Sequence, residues 1–326
     1  MNTLLRFALT RRRLLQSAAL STVAPLTIRA QEPWKPTRPI KVVVPFPAGG
    51  GADLSARLLS KGVAERLGQP VIVENRTGAS GSIGSDYVFG SAPDGHTLLA
   101  ATPDAQAVNP QMYKQRIDNT RFVPLSGMTV SGYILLSRQG LAASNMRELI
   151  ALASREPLTY GSAGPGSTFH VLTAAFGGAI KAKELRHIPY QGASPALAAM
   201  LAGEIDLMMV PDSIAKPYLG RTKVFGATTA KRLDTYPDIP TLREQGVDIV
   251  ADSWSGIFAP PGTPGSIANV IAAAFQGALR DASVDKVLKD AGRTPLLLSG
   301  RQFASFYSDA YAQWGQMIRL GRVMIE

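Results

Sequence analysis

Two stretches of this sequence have the residue types and order needed to hold an anion. Val42-Val43-Val44-Pro45-Phe46-Pro47-Ala48-Gly49-Gly50-Gly51-Ala52-Asp53 reads as a strand, a glycine-rich turn and a helix running to Leu67. Tyr160-Gly161-Ser162-Ala163-Gly164-Pro165-Gly166-Ser167-Thr168-Phe169-His170 repeats the design, leaving the apolar run that begins at Leu158 and opening a helix over residues 167–179. The first turn of a helix has backbone N–H groups with no intrahelical acceptor and carries roughly half a positive charge. Each loop is therefore an anion receptor in outline. Two of them on two lobes would hold a carboxylate without a lysine or arginine in the site.

Covalent and metal chemistry find less support. The chain has no cysteine, which removes thiolate nucleophiles, thiolate metal sites and disulfides together. Its three histidines, His96, His170 and His187, have no metal-ligand spacing, and neither a nucleophile elbow nor a phosphate-binding loop occurs. No cofactor and no metal is expected. Ser167 and His170, three residues apart, are the one nucleophile-and-base candidate, and a periplasmic hydrolase is the enzyme reading they would support. No acid is placed to orient the histidine.

The elements that must position these loops follow a repeating order. Residues 40–44, 71–74 and 97–102 read as strands, with helices after the first glycine loop and after Asn75-Arg76-Thr77-Gly78-Ala79-Ser80-Gly81. Strand, helix, strand, helix, strand with short links is a doubly wound α/β pattern. Gly68 stops the first helix. A second series of the same kind starts near residues 133–136. It continues through a helix over 145–153, with Glu148 placed as in a capping box, and strands near 187–190, 205–210 and 224–228. Residues 254–259 read as a strand returning to the first lobe, and the rest as helices over 267–279, 284–291 and 303–320.

The first thirty residues are a separate object. Arg11-Arg12-Arg13 precedes an apolar run and the small residue Ala30, as in an export signal cleaved near Ala30 by the twin-arginine or the general secretory route. The apolar part is shorter than the ~20 residues of a membrane span. Of the 34 basic residues the leader holds five and none of the 24 acids, so 29 against 24 leaves +5 in the mature chain. No basic run or stripe remains, and nucleic-acid binding is not expected.

The sequence from Pro39 to Leu320 resembles the Bug/TctC family of solute-binding proteins of tripartite tricarboxylate transporters. The resemblance rests on the first glycine loop, Val73-Glu74-Asn75-Arg76-Thr77-Gly78-Ala79, Ala92-Pro93-Asp94-Gly95 and the second loop. Ile188-Pro189-Tyr190-Gln191-Gly192, Leu201-Ala202-Gly203-Glu204-Ile205-Asp206, Ala259-Pro260-Pro261-Gly262-Thr263-Pro264 and Trp314 complete it. It implies a Venus-flytrap, type II-like periplasmic binding protein. The lobes would be residues 31–130 plus 253–326 and residues 131–252, after a leader over residues 1–30. By the same resemblance Pro47, Ala48, Gly49 and Asp53 in lobe one, and Ser162, Ala163, Gly164, Ser167 and His170 in lobe two, grip one carboxylate. Thr102, Asp212 and Ser213 select the rest of the ligand.

Thr77 and His96 are mild departures from the family pattern. Asp104 is a larger one, because facing the cleft it would repel a distal carboxylate and favour an amine or hydroxyl. Asp53 reads equally as a first-turn acid facing the helix dipole, Ser167 as an N-cap, His170 as a brace for the loop and Asp212 as a cap. Trp254 and Tyr190 read as core aromatics. The expected function is an exported, monomeric receptor that delivers a small organic carboxylate to membrane permease subunits. A ligand sensor feeding a membrane signalling partner is the alternative.

Overall fold

The apolar run at the front of the chain forms β1 (Ile40–Val44), which is covered on both edges. It pairs in parallel with β2 (Val71–Asn75) and β3 (Thr97–Ala101). The structure, a computed structural model, describes residues 34–114 and 116–323, and the expected leader lies outside them. From Trp34 onward the chain is one compact unit. Parallel neighbours need crossovers, supplied by α1 (Gly51–Leu67) and α2 (Ser82–Phe89). Gly68, in the left-handed region at φ +70°, ends α1 as expected. After β3 come one wide turn (Asp104–Val108) and the short α3 (Asn109–Met112).

The second series begins earlier than the sequence suggested. β4 (Val123–Ser137) runs for 15 residues and belongs to both halves of the molecule. Val123 to Gly132 pair antiparallel with β9 (Asp252–Ala259), and Tyr133 to Ser137 with β7 (Leu207–Pro211). β8 (Lys223–Ala227) also pairs with the second part of β4. The first part carries Pro124 and Gly127 and two register shifts, which hide the alternation of an ordinary strand. A side chain at Gly127 would strike Leu296, 2.5 Å from its Cβ position. Leu296 follows β10 (Thr294–Pro295), which also pairs with β4.

Beyond β4 the parallel design repeats. β5 (Leu158–Ser162) lies between β6 (Leu185–Pro189) and β7, with α4 (Met146–Arg155), α5 (Thr168–Ala179) and α6 (Ala193–Ala202) as connections. The Glu148 amide donates to Asn145 and the Glu148 carboxylate accepts from the Ser144 amide, so the expected cap is built at 3.0 and 2.7 Å. α7 (Asp212–Ala215) follows β7. β9 then returns beside β3, and α8 (Gly265–Leu279), α9 (Ala282–Asp290) and α10 (Gly300–Gly321) finish the chain. The result is an α/β fold of the two-lobe periplasmic binding protein type, with a mixed sheet and flanking helices.

One core lies between the first sheet, α1 and α8, with Leu59, Val63, Ile271 and Phe275 at its centre. The other is continuous from Leu99 and Phe258 through Tyr133 to Phe176 in the second half. α10 belongs to this second core: Trp314 meets Tyr133 edge-on at 6.0 Å, and Tyr307 Oη donates to Gln106 O. Its end presses on α5 so closely that a Cβ at Gly178 would lie 2.1 Å from Leu320 O. The last helix, expected to belong to the first lobe, therefore packs on both halves. No described helix is long and apolar enough to cross a membrane.

Candidate functional site

The two glycine loops end at helices whose first residues reach one recess. In loop one, Asp53 is buried, 2% exposed, and accepts from Gly49 N at 2.9 Å, Asn75 Nδ2 at 2.9 Å and Arg57 Nε at 3.0 Å. Burial alone would raise its pKa, but hydrogen bonds from Arg57, Gly49 and Asn75 hold the carboxyl below its ordinary value. Asn75 Nδ2 also donates to Phe46 O, which ties the turn to β2. Gly49 sits at φ +86°, a conformation that a residue with a Cβ rarely adopts.

Loop two is braced more heavily. Gly164 N donates to Ser162 Oγ at 3.0 Å, and Gly166 N to His170 Nδ1 at 3.2 Å. Ser167 N bonds Gly164 O, and His170 N bonds Ser167 Oγ, which is the expected N-cap. Thr168 N, at the start of α5, donates to Asp104 Oδ1 at 2.9 Å. Most of this loop's donors are thus taken by the protein itself.

The recess has two parts. An outer cavity of about 500 Å³ is walled by Phe46, Pro47, Ala163, Pro165, Phe169 and Ala193, with Gly50, Gly51, Asp53, Thr102, Asp104 and Ser167 also reaching it. An inner chamber of about 150 Å³ opens beside Gly51, Ala52, Thr168 and Phe169, the first residues of α1 and α5. Its remaining walls are hydroxyl-rich, with Thr102, Thr129, Ser131, Ser213, Ser253 and Ser255, together with Asp104, Trp254 and Arg293. The position follows from topology: open α/β sheets place ligands beyond the carboxyl ends of their strands.

Comparison with known proteins agrees with this architecture. Residues 55–321 match the model of the tripartite tricarboxylate transporter family receptor, TctC. The chain belongs to that family. A relative from a Pseudomonas species, the UPF0065 protein in the tcbD-tcbE intergenic region, is 31% identical over 321 residues, covering 94% of each chain. An R. palustris protein solved with adipate is 30% identical with a TM-score of 0.78, over 89% of this chain and 99% of that one. MatC from Rhodopseudomonas palustris, solved with bound malate, is 28% identical with a TM-score of 0.74, over 87% and 99%. This is a family of periplasmic solute-binding proteins.

Not every residue that the TctC resemblance pointed to reaches the recess. Pro47, Asp53, Thr102, Asp104, Ala163 and Ser167 line the outer cavity, and Ser213 lines the inner chamber with Thr102 and Asp104. Ala48, Gly49, Ser162, Gly164, His170 and Asp212 line neither. Ser162 is fully buried and its Oγ lies 2.6 Å from His187 Nε2, so that pair braces the loop from behind. His170 stacks on His187 at 3.9 Å and borders a different recess, of about 770 Å³, between α5 and the end of α10. Burial, helped by the neighbouring His187, pulls its pKa down to about 4. Ser167 Oγ donates to Gly164 O at 2.7 Å, and the Nδ1 of His170 already accepts from Gly166. Neither is arranged as a nucleophile with its base.

Asp212 sits behind the chamber wall, accepting from Ser213 N at 2.6 Å, and burial pushes its carboxyl up to about 6. Asp104 lines both parts of the recess. Burial raises its pKa, with hydrogen bonds from Thr168 and Thr102 working the other way.

The main correction concerns charge. The site was expected to contain no basic side chain, yet Arg293 lines the inner chamber. Its Nη1 donates to Gly51 O at 2.7 Å, and its guanidinium lies where a Cβ of Gly51 would be, at 2.8 Å. That contact explains the third glycine of the turn. Arg293 stands 242 positions from Gly51 in the chain, in a short loop after α9, and no local pattern marks it.

Proposed function

We propose that this chain is an extracytoplasmic receptor that closes over a small organic carboxylate and delivers it to the permease subunits of a tripartite-type transporter. The observation that carries the reading is the convergence of the α1 start, Gly51-Ala52, with Arg293 on a recess that the α5 start, Thr168-Phe169, also lines. Helix N-termini and a guanidinium both favour a carboxylate, and charge-assisted hydrogen bonds strengthen as water is excluded. The lobes proposed are residues 31–130 with 253–326 and residues 131–252. The change of β4 partners between Gly132 and Tyr133, and the start of β9 at Asp252, support those limits. Ligand would shift an open–closed equilibrium of a monomer. Export through a cleaved leader belongs to the same proposal.

The test is a thermal-shift screen of the purified protein, free of carried-over ligand, against mono-, di- and tricarboxylates and amino acids. A ligand at a hundred times its dissociation constant adds about 2.7 kcal/mol, a shift of several degrees. No shift with any acid would sink the reading. Loss of the shift after Gly51→Ala, which displaces Arg293, would locate binding in this recess.

A further inference from the structure

We propose that the ligand is a monocarboxylate with an apolar body, its carboxylate in the inner chamber against Arg293 and its body in the outer cavity. This rests on the reading of the recess as a carboxylate site and narrows the substrate class.

The two parts of the recess differ in chemistry. Among the described residues no lysine or arginine lines the outer cavity, whose charged members are Asp53 and Asp104. Its walls are largely apolar: two phenylalanines, two prolines and three alanines face a volume that accommodates a ring or a branched chain. A second carboxylate placed there would face Asp104 with no cation lining the cavity to receive it, the nearby Arg57 being paired with Asp53.

The inner chamber shares Asp104 but adds a cation. It holds Arg293, a set of serine and threonine hydroxyls and the first residues of two helices. Trp254, 2% exposed, lines it and supplies an aromatic wall. At about 150 Å³ the chamber has room for a carboxylate group and a few waters.

Asp104 stands between the two parts and lines both. Its oxygens already accept from Thr168 N and Thr102 Oγ1, so it has no need of an ammonium from the ligand. The amine that the sequence suggested for this position is therefore not selected, whereas the exclusion of a distal carboxylate stands.

The experiment is calorimetric titration of the purified protein with phenylacetate and cyclohexanecarboxylate, set against adipate, malate and phenylalanine. The expected result is that an apolar monocarboxylate binds at least tenfold more tightly than either dicarboxylate and than phenylalanine. Arg293→Gln should weaken it at least tenfold. Should that variant fail to fold, Ala193→Lys places a cation at the part-exposed rim of the outer cavity and should shift the preference toward adipate by about tenfold. Tighter binding of adipate or malate to the unaltered protein overturns the apolar-body assignment while leaving the carboxylate receptor intact. Tighter binding of phenylalanine than phenylacetate overturns it by showing that Asp104 reads an ammonium. An unchanged preference in Ala193→Lys, or full affinity in a folded Arg293→Gln, also counts against it. If no acid binds, both readings fall together.

Discussion

The two glycine loops are alike in sequence and unlike in use. Each leaves a buried strand, turns through glycine and proline and opens a helix. In loop one a single carboxylate, Asp53, takes the Gly49 amide, while Gly50, Gly51 and Ala52 border the recess. In loop two, the amides of Gly164, Gly166, Ser167, Thr168 and His170 all have acceptors within the protein. One of these acceptors, Asp104, comes from the other half and occupies the α5 N-terminus as a bound anion would. A glycine-rich helix start is thus an anion receptor only where no side chain has reached it first. In the proposed receptor, loop one with Arg293 recruits the carboxylate and loop two forms the shaped wall.

Substitutions can break or sharpen that contrast. The largest effect is expected at Asp53, a buried carboxylate whose removal takes the acceptor from the Gly49 amide, Arg57 and one Asn75 bond together. Asp53→Ala should cost about 2–3 kcal/mol, read as a loss of several degrees in thermal unfolding. A cost below about 0.5 kcal/mol would mean that loop one is not held by this carboxylate. Asp104→Ala should come next, at about 1–2 kcal/mol without ligand, because Thr168 N loses its acceptor. The same change gives loop two a free donor, so the stabilisation by a saturating carboxylate should grow relative to the unaltered protein. A smaller ligand shift would show that Asp104 assists binding instead of filling an anion position. Ser162→Ala removes the acceptor of Gly164 N and the partner of His187, and should cost about 1 kcal/mol in denaturant unfolding.

The smallest effects are those of pH, and two buried groups outside the lining of the recess should respond with opposite sign. Burial places the Asp212 carboxyl at about 6 against an ordinary 3.8, so the folded chain binds this proton more tightly than the unfolded one. Its contribution to stability is greatest below the ordinary value and falls as pH rises toward about 6. Asp212→Asn should remove that fall. His170, brought from 6.5 to about 4, favours the neutral ring in the folded state. Its contribution is complete above 6.5 and is lost as pH drops toward about 4. His170→Gln should flatten that acid limb, and an imidazole NMR titration should place the His170 midpoint near 4. A midpoint near 6.5 would show that the stack on His187 does not exclude water from the ring.

Much of the fold could be read from local pattern because its causes are local. The β1 run, the Gly68 stop, the Asn145–Glu148 cap and the Ser167 N-cap each depend on residues within a turn of one another. The early start of β4 was missed because a strand bearing proline, glycine and bulges shows no clean alternation, and only its partners β9 and β10 make it a strand. Among the residues lining the recess, Pro47, Thr102 and Ala163 were expected from the family resemblance and Asp104 as a departure from it. A bracing role for His170 was read from the sequence, but its partners Ser162 and His187 were not, since the stacking depends on β5, β6 and α5 meeting side by side.

By itself the sequence determined the order of elements, the two glycine turns and the family to which they belong. These are set by backbone preference and hydrophobic period, which act over a few residues. Only the tertiary structure decided which turn keeps its amides free, because that depends on acceptors brought from distant segments. Asp104 crosses to Thr168, and Arg293 crosses to Gly51. Hydrogen bonds and charges act over a few ångströms in space whatever their separation along the chain.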